Sequence, residues 1–104
     1  MRSPILFLVF NRPDTTARVF ERIREAKPPR LYVAADGPRE GREGELVACQ
    51  RVREIATQVD WPCELKTLFQ ERNLGCKIGV STGISWFFEQ EPEGIILEDD
   101  VLPM

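Results

Sequence analysis

Apolar runs of strand length alternate along this chain with stretches of helical period, in the order β-α-β-α-β-α-β, and that alternation leaves few folds open. Residues 4–10 are nearly all apolar, as in a strand covered on both faces of a parallel sheet. Pro13 then stands where a first helical turn tolerates it, with Asp14 favourable near the positive helix end. A helix is expected over 14–26 with Thr16, Val19, Phe20 and Ile23 on its buried face, stopped by Pro28-Pro29. A second strand spans 31–35 and ends in the turn Asp36-Gly37-Pro38. Residues 39–45 are polar, contain glycine and read as a mobile surface loop. The second helix carries Cys49, Val52, Ile55, Ala56 and Val59 on one face and ends near 60–62. The third strand, 64–70, alternates apolar and polar side chains, which suits a position near a sheet edge. After the turn Asn73-Leu74-Gly75, a third helix is expected over 77–89, burying Val80, Ile84, Phe87 and Phe88 with Trp86 flanking. Gly79 and Gly83 weaken it by about 1 kcal/mol each relative to Ala, which points to close packing on the sheet or on a ligand. The last strand, 94–97, runs directly into Glu98-Asp99-Asp100.

Strands joined by helices must be parallel, so the expected fold class is α/β, a doubly wound and mostly parallel sheet in a single domain over 1–104. In such sheets ligands bind beyond the carboxyl ends of the strands, where strand order reverses. That rule singles out Asn11 and Arg12, Asp36 and Gly37, residues 72–77, and residues 98–100.

Composition narrows the chemistry. The chain has 104 residues, 42% of them hydrophobic and 30% charged, enough for one soluble core but short for a complete two-substrate active site. A net charge of −3 supplies no positive field for nucleic acid or anionic membrane, and the opening apolar run is too short for a membrane span. Cys49, Cys63 and Cys76 match neither a metal-ligand pair nor a disulfide framework and read as reduced thiols of a cytoplasmic protein. With no histidine, a histidine-containing zinc site and a histidine-activated nucleophile are excluded. From residue 78 onward there is no Lys or Arg, and Glu89, Glu91 and Glu93 read as a solvated face.

Each strand end carries groups suited to a nucleoside diphosphate. Arg12 is either a planar fork for a diphosphate or base carbonyl, or a surface arginine, and alone it reads as the latter. Asp36 suits a base N–H or a ribose hydroxyl, and equally a turn-forming Asp-Gly pair. Glu98-Asp99-Asp100, at the end of a strand expected to be buried, repel one another unless a cation or basic partner is present. Mg2+ and Mn2+ take one or two carboxylates and share their other positions with water and phosphate; a solvated acidic turn is the competing reading.

The segments PILFLVFNRPDTT, LYVAADGPR, FQERNLGCKIGVSTGISWFF and EGIILEDDVLP together resemble the N-terminal half of nucleotide-diphospho-sugar transferases of the GT-A fold, in the bacterial family-two-like group. The order of strand ends is also similar to that of the N-acetylglucosaminyltransferase I group. The resemblance covers nearly the whole chain. It implies that Phe10, Asn11 and Arg12 lie by the nucleotide and that Asp36 contacts uracil or ribose. Arg72, Asn73, Gly75 and Lys77 would border the base and phosphates. Glu98-Asp99-Asp100 would be the DXD-like motif, with Asp100 on Mn2+ or Mg2+ and Glu98 and Asp99 nearer ribose and sugar. The implied ligand is a nucleoside-diphosphate sugar, most commonly UDP-linked. Similar proteins continue past the acidic motif into an acceptor-binding half that supplies the catalytic base, so the expectation is a donor-binding half without turnover of its own. Its last strand would then form an exposed edge and a route to a homodimer.

Other nucleotide-handling folds fit less well. A receiver domain places its acidic pair after the first strand, a dehydrogenase places GxGxxG there, and a sugar nucleotidyltransferase a Gly-rich basic loop; Asn11-Arg12-Pro13-Asp14 is none of these. The remaining alternative is a non-catalytic, truncated nucleotide-binding or assembly module.

Overall fold

The computed structural model describes residues 2–99. Their order is β1 (Ile5–Val9), α1 (Pro13–Ala26), β2 (Arg30–Ala35), α2 (Glu45–Ala56), β3 (Glu64–Phe69), α3 (Cys76–Phe88) and β4 (Ile95–Glu98). The four strands form one parallel sheet in the order β3-β2-β1-β4. The chain steps outward from β1 through β2 to β3, then returns to the far side of β1. The direction of travel across the sheet therefore reverses between β1 and β4, and their register pairs Leu8 with Glu98.

Burial follows position in the sheet. Every residue of β1 is buried because strands flank it on both sides and helices cover both faces. One face carries Ile5, Phe7, Val9, Leu31 and Val33 against Val19, Phe20 and Ile23 of α1 and Val52 and Ala56 of α2. The opposite face carries Leu6, Leu8, Tyr32 and Ala34 against Phe87, Val80 and Ile84 of α3. Alternation along a strand distributes its side chains between these two cores. Trp61, beyond α2, completes the first core by packing on Phe20, and its Nε1–H donates to the Pro28 carbonyl at 2.9 Å.

Helix α3 approaches the sheet closely because Gly83 has no side chain: a Cβ there would stand 2.9 Å from Leu8 Cδ2 and 3.0 Å from Ala34 Cβ. Gly79 lies against the Asp36 carboxylate in the same way. Both glycines thus have the close-packing role their helical positions implied.

Four expectations need correction. Glu45 is not part of a polar surface loop; it begins α2 and is buried. Glu91 is not on a solvated face. It is buried, takes two hydrogen bonds from Arg30 and accepts one from the Tyr32 hydroxyl at 2.6 Å, which ties the turn before β4 to the start of β2. Phe88 is exposed, because the sheet-facing side of α3 is already filled by Phe87 and Gly83. Strand β4 is not the buried strand that the reading of its acidic end supposed: Ile95 is 37% and Ile96 39% exposed, and the strand forms the sheet edge expected of the last strand of a donor-binding half. The expected edge position of β3 matches the structure. Among the described residues no helix is long and apolar enough to cross a membrane.

Candidate functional site

Parallel strands send all their carboxyl ends to one rim of the sheet, and the segments that follow them enclose a cleft of about 500 Å³ there. Its apolar floor includes Leu8, Ala34, Leu68 and Val80. Of the residues singled out in the sequence, Phe10, Asn11, Arg12, Asp36, Asn73, Gly75, Glu98 and Asp99 line it. Arg72 and Lys77 do not line it; both are exposed, and the main chain of Arg72 packs on Gly37 instead. A Cβ on Gly37 would come within 2.5 Å of that main chain, so the absence of a side chain allows the β2 and β3 ends to meet. Asp100, the expected metal ligand, lies outside the described residues.

Asp36 joins two walls of the cleft. Its Oδ1 accepts from the Gly37 and Leu74 main-chain N–H groups, both at 2.8 Å, and its Oδ2 from Asn73 Nδ2 at 3.2 Å. Asn73 Nδ2 also donates to the Gly37 carbonyl at 2.9 Å. Beneath them, Arg53 Nη2 of α2 donates to the Asp36 and Gln70 carbonyls, holding the ends of β2 and β3 together, while its guanidinium lies 4.8 Å from the Phe69 ring centroid. Asp36 thus lines the cleft and also makes the turn contacts expected of an Asp-Gly pair.

Sequence reasoning passed over a second network. Glu45, only 6% exposed, accepts from Asn11 Nδ2 at 2.8 Å, from the Arg39 main-chain N–H at 2.9 Å and from Arg39 Nη2 at 2.7 Å. The Arg39 side-chain hydrogen bonds, chiefly, hold the Glu45 carboxyl down at about pKa 2 against the opposing effect of burial. The Arg39 guanidinium lies 5.6 Å from the Phe10 ring centroid and lines the cleft. The available signal was an acid placed in a first helical turn, where the helix dipole favours it.

At the reversal point, the Phe10 main-chain N–H donates to Asp99 Oδ2 at 3.1 Å, joining the ends of β1 and β4. Among the described residues the Arg12 guanidinium has no hydrogen-bond or ion-pair partner, and the residue is exposed. Three carboxylates, Asp36, Glu98 and Asp99, therefore line a cleft in which Arg39 is already neutralised by Glu45. Among the described residues no three acidic, cysteine or histidine side chains converge as a metal cluster. Cys76 opens α3 at the cleft wall, and all three cysteines are free.

Comparison of the chain with protein-family models, with curated proteins and with solved structures finds no match.

Proposed function

We propose that this chain is the donor-binding part of a GT-A-type nucleotide-diphospho-sugar transferase, built on the first half of a doubly wound sheet and binding a UDP-linked sugar. The observation that carries this reading is the convergence of residues 10–12, Asp36, Asn73 and Gly75, and Glu98 and Asp99 on one cleft at the carboxyl rim. A rim at which the crossing direction reverses is the ligand position of open α/β sheets. The cleft also combines an apolar floor with a few polar groups, as small-ligand sites do.

A divalent cation fits the donor set in type, since Mg2+ or Mn2+ needs only one or two carboxylates beside phosphate oxygens. Glu98 stands at the rim and Asp100 follows within two residues. The acidic lining repels a diphosphate, and a bound cation offsets that repulsion. When bound, the metal supplies Lewis-acid stabilisation of the leaving nucleoside diphosphate. The chain's own groups then divide the remaining work: Arg12 attracts the phosphates and Asp36 accepts a hydrogen bond from base or ribose. The free thiols fit a reducing compartment such as the cytoplasm.

Calorimetry of UDP binding with and without Mn2+ tests the reading. Binding should strengthen at least about tenfold with the metal, a coupling of about 1.4 kcal/mol, and Asp100→Ala should abolish that gain. Equal affinity with and without Mn2+ would overturn the metal role, and no UDP binding under either condition would overturn the nucleotide reading.

A further inference from the structure

The cleft has two arginines in different electrostatic states. Arg12 has no partner among the described residues. Arg39 has given one edge of its guanidinium to Glu45, through Nε and Nη2, and lies 5.6 Å from the Phe10 ring centroid. Among the described residues Arg39 Nη1 takes no hydrogen-bond partner, and the ring that lies beside the guanidinium is that of Phe10.

These states suit different ligand parts. A cation already neutralised by a buried carboxylate offers little net attraction to a diphosphate. A guanidinium held beside an aromatic ring still presents a polarisable plane on which an uncharged ring can stack. The hold is stiff: Glu45 is itself buried and is fixed from the other side by Asn11, so Arg39 reaches this position with little ordering left to lose on binding. Arg12, exposed and without a partner, suits the phosphates.

We propose that Arg39 is a specificity-determining residue that contacts the nucleobase, with Phe10 beside it and Glu45 as the positioning residue that holds it there. This rests on the nucleotide reading above and adds to it the residue that meets the base.

The test uses uridine, UDP and inorganic pyrophosphate as separate probes, with Mn2+ present, on the full chain and its variants. Arg39→Ala should weaken uridine and UDP binding by about tenfold and leave pyrophosphate binding within about twofold, since stacking on a base is the contact removed. Arg39→Lys should fail to restore uridine binding, because it returns the charge without the planar fork. Arg12→Ala should show the reverse preference, weakening pyrophosphate and UDP and sparing uridine. Should Arg39→Ala unfold, Glu45→Gln tests the same point by loosening the hold on Arg39, with an intermediate loss confined to uridine and UDP. Normal uridine binding by Arg39→Ala, rescue by Arg39→Lys, or equal losses for uridine and pyrophosphate would overturn the proposal while leaving the nucleotide reading intact. Failure of the unaltered chain to bind uridine or UDP would overturn both.

Discussion

Glu45 is a carboxylate that local composition assigns to solvent, yet it is 6% exposed and ionised through Arg39 and Asn11. Its folded pKa of about 2 lies below the ordinary value for Glu, so its stabilising contribution is present above about pH 4.3 and is lost as pH falls through about 2. Glu45→Gln should therefore be less stable than the unaltered chain at pH 7, and the gap should shrink between about pH 4.5 and pH 2. Urea melts of both proteins across that range check this, and a gap independent of pH would refute it. Asp36 was legible in the sequence because an acid directly after an apolar strand must emerge at the sheet rim. Glu45 was not, because Asn11 follows β1, 34 positions away, and no local pattern shows that Arg39, six positions before it, turns back onto the helix start.

Each of the seven elements was legible, since strand and helix periods are local properties and the Pro and Gly stops are strong. Boundaries and faces were less so. Helix α3 has no charged residue from 78 to 88, so no polar stripe marked its outer side and Phe88 was assigned to the wrong face. Trp61 read as part of a helix end, and its role as a core plug depends on the distant Phe20 and Pro28. The glycines of the same helix did carry information. Gly83→Ala gains about 1 kcal/mol of helix propensity but forces a methyl group against Leu8 and Ala34, a clash of about 1–3 kcal/mol. We expect a net loss of about 1 kcal/mol, seen as a melting temperature lower by about 4–8 °C. Ser81→Ala, on the exposed side of α3, should show no such loss in the same thermal scan.

Across the whole molecule, the sheet order β3-β2-β1-β4 follows from packing that no sequence window contains, although the rim position of the strand-end residues does follow from parallel topology. The same order leaves β4 at an edge with Ile95 and Ile96 partly uncovered and no Lys or Pro within the strand to block pairing. We propose that this edge drives self-association, most simply as a two-fold dimer. Ile96→Lys should shift the chain toward monomer in sedimentation velocity, and an unaltered chain that stays monomeric at high concentration would count against the idea. The pairing of β1 with β4 also joins chain segments far apart, with 89 positions separating Phe10 from Asp99. During synthesis from the N-terminus, β1, α1 and β2 can assemble early, but one flank of the most buried strand has to wait for almost the last strand described. Until then its main-chain N–H and C=O groups are open to other chains, so the nascent protein is at its most vulnerable to wrong partners just before β4 emerges from the ribosome.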